Sequence, residues 1–167
     1  VNLGAAINGK SSDTDPFISA DGLSLIFSSI RIGGYGNFDL WVSTRATVTD
    51  RFESATNMGN RVNSRELDGR AALSSDGSTL YFHSMRPGGR GSIDLWTSTR
   101  DDEQQTWSNP LPLNGAVNSA SVDGGVAIAF DHKTLLVHSD RIGSKGLDLW
   151  IATRERTDDE CGALENL

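Results

Sequence analysis

The sequence predicts an all-β chain made of three stacked copies of one four-stranded unit, and three observations carry that reading. The motif Arg-x-Gly-Gly-x-Gly-x-x-Asp-Leu-Trp runs from Arg31 to Trp41 and again from Arg86 to Trp96, and a version one residue shorter runs from Arg141 to Trp150. Asp13–Arg45 laid on Asp68–Arg100, a shift of 55 positions, is identical at 17 of 33. Within each copy apolar residues alternate with polar ones at the strand period of two, and outside the linkers nothing has the helical period. Self-similarity at such a spacing marks an architecture in which each unit buries its apolar faces against its neighbours.

The elements follow in order along the first unit. Phe17–Ser19 reads as a short first strand, opened by Pro16 and ended by the turn Ala20-Asp21-Gly22, where an Asp-Gly pair tolerates positive φ. Leu23–Ser29 is the second strand, with Leu25 and Phe27 on one face. The glycine-rich loop Arg31–Asn37 leads into the third, Phe38–Thr44, rich in β-branched and aromatic residues. A weaker fourth strand is expected at Phe52–Ala55, whose equivalent in the second unit carries Trp107. The third unit, Asp123–Arg154, has Asp131-His132 where the others have Asp-Gly, yet keeps Ser139, Arg141, Gly143, Gly146, Asp148 and Trp150 in place. The linkers repeat too: Ile7-Asn8, Val62-Asn63 and Val117-Asn118 each follow a short Leu/Met-Gly or Leu-Asn-Gly run. Pro87 lies in a loop, and Pro110 and Pro112 read as linker residues, where a missing donor is tolerated. The chain is one segment, 1–167, of units approximately 4–58, 59–113 and 114–167.

Four-stranded units of this size stacked around an axis form a β-propeller. A blade has two apolar faces and buries both only between neighbours, so three blades are expected to be half of a six-bladed ring. Val1–Gly4 and Glu165–Leu167 hold the same phase of the repeat. The expected assembly is therefore a homodimer closed by a twofold axis, with the N-terminal segment of each chain helping to complete the last blade of the other.

The string Ser-x-Asp-Gly-x-x-Leu-x-Phe-x-Ser-x-Arg-x-Gly-Gly-x-Gly-x-x-Asp-Leu-Trp, at Ser19–Trp41 and most cleanly at Ser74–Trp96, resembles the PD40, or WD40-like, propeller repeat. The resemblance covers essentially the whole chain, with the third unit departing at its turn and loop. It implies a propeller like that of TolB and other bacterial envelope proteins, and a periplasmic or otherwise exported setting. It implies no activity, because function belongs to sites and not to folds.

Composition narrows the partners. A net charge of −7, with Lys and Arg dispersed, argues against nucleic acid, which needs a basic patch. No apolar run approaches the length of a membrane span. The single cysteine, Cys161, cannot form an internal disulfide and has no neighbouring nucleophile pattern. The first residue is Val, not Met, which points to removal or omission of something upstream.

No motif names a catalytic centre. Gly33-Gly34-Tyr35-Gly36 leads into a strand, whereas a phosphate cradle needs a helix N-terminus behind it, so these glycines serve a tight connection. Arg31, Arg86 and Arg141 recur with Asp39, Asp94 and Asp148. Recurrence in every unit marks a structural role, expected here as a charge-assisted bond pinning the loop, with each Asp also accepting backbone N–H groups. On that reading Asp94→Asn lowers stability by about 1–3 kcal/mol. Trp41, Trp96 and Trp150 read as packing residues. His83 and His138 are spaced by the repeat and read as strand histidines with ordinary hydrogen bonds. Asp13-Thr14-Asp15 falls short of a cation's oxygen ligands, because Asp15 becomes Arg70 and Gly125 in the other units; no metal or cofactor is expected.

The expected function is a non-catalytic binding or scaffolding module for a protein, peptide or glycan. Its ligand face is placed on the inter-blade connections and the loops between second and third strands. The candidate contacts there are Asn8, Asp13, Asp15, Arg31, Asn63, Asp68, Arg86, Arg90, Asn118, Asp123, Arg141 and Lys145. The alternatives are a glycan-cleaving enzyme with carboxylates from different blades, or an architectural or engineered repeat with no ligand.

Overall fold

A computed structural model describes residues 2–101 and 106–167; Val1, part of the segment expected to reach a partner, lies outside them. The strands are β1 (Asp13–Ile18), β2 (Ser24–Ser29), β3 (Asp39–Thr44), β4 (Thr56–Asn57), β5 (Asp68–Leu73), β6 (Thr79–Ser84), β7 (Asp94–Asp101), β8 (Thr106–Trp107), β9 (Leu111–Pro112), β10 (Asp123–Ile128), β11 (Thr134–Ser139), β12 (Asp148–Thr153) and β13 (Glu165–Asn166). They form three antiparallel sheets: β1-β2-β3-β4, then β5-β6-β7 with β9 on its edge and β8 on the end of β7, then β10-β11-β12-β13. Blades touch through their first, second and third strands, and the short fourth strands lie outermost.

Three expectations about the elements are corrected. The first strand starts at Asp13 and runs through Pro16, which a β-bulge accommodates: the register breaks between Thr14 and Phe17. The fourth strand is not Phe52–Ala55 but Thr56–Asn57, where Asn57 faces Trp41 across the ladder. Its counterparts are Leu111–Pro112 and Glu165–Asn166, so Pro112 belongs to an edge strand, where a missing N–H is harmless, and Trp107 to a small extra ribbon. Finally, the third blade carries its own fourth strand, β13, and needs no strand from a partner.

The turn that lacks its glycine keeps the turn geometry. His132 takes φ 60 where Gly22 and Gly77 take φ 72, and its Nε2 accepts a bond from the backbone N–H of Ser75 in the adjoining blade (2.8 Å). A contact between blades thus holds a side chain in a conformation that glycine adopts freely.

The cores lie between blades. Ile26 and Leu40 of the first blade meet Val62, Leu73, Leu80, Phe82 and Trp96. Tyr81 and Leu95 of the second meet Val117, Leu135, Val137, Trp150 and Leu164. A third cluster, Ile7, Leu25, Phe27 and Trp41, lies on the outer side of the first blade. This layering explains the modest hydrophobic content: each core is one side chain deep on either side.

Candidate axial binding site

The recurrent charges come first, because they are consumed by the scaffold. The start of each first strand faces the end of the second in the ladder, Asp13 opposite Ser29, Asp68 opposite Ser84 and Asp123 opposite Ser139. An arginine two residues past that serine reaches back to the aspartate. Arg31–Asp13, Arg86–Asp68 and Arg141–Asp123 are ion pairs of 2.5, 2.6 and 2.6 Å. Each guanidinium also donates to that serine and to the carbonyl of Ile7, Val62 or Val117, and lies over the Trp41, Trp96 or Trp150 ring. The expected pairing with Asp39, Asp94 and Asp148 is therefore corrected. Those carboxylates accept loop N–H groups instead: Asp39 from Tyr35 and Gly36, Asp94 from Arg90 and Gly91, Asp148 from Lys145.

Asn63 and Asn118 are buried as well, each bonded to both backbone groups of a leucine in the preceding blade. Asp13, Arg31, Asn63, Asp68, Arg86, Asn118, Asp123 and Arg141 thus hold the blades together, their polar groups engaged within the scaffold. Burial works against the charge of Asp13, but its bonds from Ser29 and Arg31 outweigh that and hold it below the usual carboxylate range. Of the expected contacts, Asn8, Asp15, Arg90 and Lys145 remain open to solvent in whole or part.

Asp15 leads to the axis. Each first strand bulges at the same place, and the bulged residue is left-handed: Asp15 at φ 50, Arg70 at φ 48, Gly125 at φ 52. Only the third is the residue that this conformation suits. A non-glycine side chain there costs about 1–3 kcal/mol and persists only where the surroundings enforce it; bulges of this kind re-aim side chains next to sites. Arg70 is the centre of the group. Its Nε lies 3.5 Å from Asp15 Oδ1, and its Nη1 lies 3.3 Å from His138 Nδ1. A guanidinium has no acceptor, so Nδ1 of His138 accepts this bond and the imidazole is neutral, with its proton on Nε2. Burial first, and the Arg70 charge second, lower the His138 pKa accordingly.

His83 completes the cluster. Its ring crosses Gly69 of its own blade and touches Gly124 of the next, where a Cβ would crowd it. Its Nδ1 is buried with no partner among the described residues, which corrects the expectation of ordinary bonds. Burial and the Arg70 charge push the imidazole down to about 4. Two clefts of about 390 and 400 Å³ share Asp15 and Arg70 as their common wall. One is otherwise largely apolar, lined by Pro16, Phe17, Val126, Leu136 and Val137; the other contains Ser28 and His83.

Among solved structures, TolB from Acinetobacter baumannii matches 91% of this chain at a TM-score of 0.55 and 16% identity. A puromycin hydrolase matches 97% at 0.54 and 16%. The fold is a β-propeller. At this identity the likeness shows the fold alone. The chain spans 32% and 24% of those two structures' own lengths. No family model matches the sequence, and neither does any curated protein.

A larger cleft, about 430 Å³, lies between the second and third blades, away from the axis. Its polar groups are tied to one another: His132 to Ser75, and Arg154 to Tyr81 and the His132 carbonyl. Cys161 on its wall is half-buried, and burial pushes its thiol up, away from nucleophile chemistry. Among the described residues no three His, Cys, Asp or Glu side chains converge as metal ligands, and no helix is long and apolar enough to cross a membrane. Arg70, His83 and His138 were not among the sequence-level contacts. The signal for them was present as a repeat position occupied by Asp, Arg and Gly in turn, within strands that otherwise match.

Proposed function

We propose that this propeller segment is a non-catalytic binding module that holds an acidic ligand, such as a peptide carboxylate, at Arg70 in the axial trough. The left-handed backbone at Asp15 and Arg70 carries this reading. A scaffold that tolerates glycine there, as the third blade does, has kept two charged side chains at a conformational cost. Arg70 makes one bond through Nη1 and none through Nη2 among the described residues, so it retains donors for a carboxylate in bidentate geometry. The apolar walls beside it suit an aliphatic neighbour of that acid. Binding is favoured over glycan cleavage because cleavage needs a carboxylate pair, and Asp15 is the acidic residue that the two axial clefts share, already opposite Arg70. We also propose that a second copy completes the ring, and, from the PD40 resemblance, that the protein works in an exported setting.

Fluorescence anisotropy with short labelled peptides, acidic against neutral at one position, tests the ligand reading. Acidic peptides should bind wild type and the loop variant Arg90→Gln alike, and lose binding to Arg70→Gln. Equal binding by both variants, or no preference for the acid, would overturn it.

A further inference from the structure

One position of the repeat holds an aromatic ring in two units and none in the third. At the same distance past Arg45, Arg100 and Arg154 stand Phe52, Trp107 and Cys161. The backbone makes the three equivalent: the N–H of the following residue, Glu53, Ser108 or Gly162, donates to the carbonyl of Thr44, Thr99 or Thr153 (2.9, 2.8 and 2.9 Å). Each side chain is half-buried and packs on one core. Phe52 lies on the Ile7 cluster, Trp107 on the core between the first and second blades, and Cys161 on the core between the second and third. In the first two units the arginine lies over the ring, Arg45 at 4.5 Å from the Phe52 centroid and Arg100 at 5.5 Å from that of Trp107.

Arg154 is held in the same pose without a ring in that place. Arg45 donates through Nε to the Gly22 carbonyl (2.8 Å) and through Nη1 to that of Asp50 (3.4 Å). Arg154 donates through Nε to the His132 carbonyl (2.8 Å) and through Nη1 to that of Asp159 (3.2 Å). The scaffold therefore fixes the guanidinium, and the Cys161 thiol offers it no π face. The opposite wall differs too. Tyr81 and Thr97, a cross-strand pair of the second blade, stand where the first blade has Ile26 and Val42. Tyr81 reaches the arginine and accepts a bond from Arg154 Nη2 (3.2 Å), yet a cleft of about 430 Å³ remains beside it, with Leu113 and Val117 in its apolar lining. Both walls belong to adjoining blades already joined within the chain.

We propose that this cleft binds a small planar aromatic molecule with a hydrogen-bonding edge, which takes the place of the ring that Cys161 lacks. The occupant follows from the sister positions: a guanidinium in this place lies over an aromatic ring twice in the same chain. Arginine is weakly hydrated and stacks on aromatic faces. The volume falls in the range of small-molecule pockets, about 300–1,000 Å³. The hydroxyls of Tyr81 and Thr97 stand where the first blade has hydrocarbon, and they suit a polar edge. The site is separate from the axial trough and does not depend on the ligand reading made there.

Indole, the Trp107 ring as a free molecule, is the probe. Titrated into the full chain and followed by protein NMR, it should give saturable shifts at the amides of Thr97, Thr99 and Cys161. Cys161→Trp refills the cleft and should weaken indole binding by about tenfold or more while raising the melting temperature. Cys161→Ala leaves the space open and should bind indole as wild type does. Cys161→Phe, which brings in the ring of the first blade, replaces the Trp variant if circular dichroism shows that one misfolded. Phenol should bind more tightly than cyclohexanol, which has its size and hydroxyl but no π face. No saturable shift, shifts confined to the axial trough, or equal binding by wild type and a folded ring variant would overturn the site. Equal affinity for phenol and cyclohexanol would overturn the aromatic occupant.

Discussion

The middle blade and the third blade carry the same Asp-Leu-Trp segment, yet Leu95 is fully buried and Leu149 is 62% exposed. The two strands have the same register with their second strands, so the difference does not arise within the blade. It arises because the middle blade has a neighbour on each face and the third has one. In a stacked architecture a residue's burial belongs to the interface, and identical sequence can be core in one unit and surface in the next. The same holds for Asn63 and Asn118, which are buried, against Asn8, which is exposed.

The largest expected effect tests the ion pairs across that comparison. Asp68 accepts bonds from Ser64, Ser84 and Arg86 and is wholly buried. Asp68→Ala should cost about 3–5 kcal/mol, because it strands a buried guanidinium. Asp13→Ala, in a first blade with no predecessor and a partly exposed carboxylate, should cost clearly less in urea unfolding. Equal losses would show that the missing neighbour does not matter to these pairs.

Next come the leucines. Leu95→Ala should cost about 2–5 kcal/mol, and Leu149→Ala well under 1 kcal/mol when unfolding is followed at concentrations low enough to keep the chain single. A large loss from Leu149→Ala in that regime would contradict an open face.

The third effect is on pH dependence. The His83 imidazole is held at about 4 against a usual 6.5, so the folded state favours its neutral form. Its contribution is fully present above about pH 6.5 and is lost as pH falls toward 4, a change of about 3 kcal/mol. Urea midpoints measured from pH 7 to 4 should show this decline, and His83→Gln should flatten it. A profile unchanged by the substitution would show that His83 is not the group responsible.

The smallest effect compares two aspartates. Asp39 accepts a bond from the Asn57 side chain (2.9 Å), but Pro112 stands in the matching place of the second blade and Asp94 Oδ1 is buried without a partner among the described residues. Burial raises the Asp94 pKa in consequence. Pro112→Asn should restore the donor, stabilise the fold by up to about 1 kcal/mol, and lower that pKa in a carbon-detected NMR titration. The orphaned oxygen also bears on Asp94→Asn, which should fall at the low end of the range expected from sequence, since an amide replaces an oxygen that accepts nothing.

Much of the fold was legible because the repeat multiplies weak local signals. One Asp-Gly turn or one alternating run is ambiguous, but the same run at a fixed spacing identifies the unit, its second and third strands and the stacking. The errors fell where local pattern is silent. Phe52–Ala55 looked more strand-like than Thr56–Asn57, but an edge strand is chosen by what it pairs with, not by its own propensity. Arg31 was matched with Asp39 by nearness to the same loop, whereas the hairpin register brings it to Asp13. The site was the least legible part. Repeat logic separates what recurs from what does not, and the recurrent tryptophans lie in the buried clusters. It does not show that Asp15, Arg70 and Gly125 bulge toward one axis, or that His138 and His83 close around Arg70.

By itself the sequence determined the unit, its number and its handed turns, because those depend on neighbours within a few residues and on glycine or its substitutes at left-handed positions. Only the tertiary structure decided which charges are spent on the scaffold and which remain free, because that depends on register and on the presence of a blade on each side. Arg86 and Arg70 illustrate the division: both are arginines of the middle blade, one locked between Asp68 and an aromatic ring, the other held by strained backbone at the axis with donors to spare.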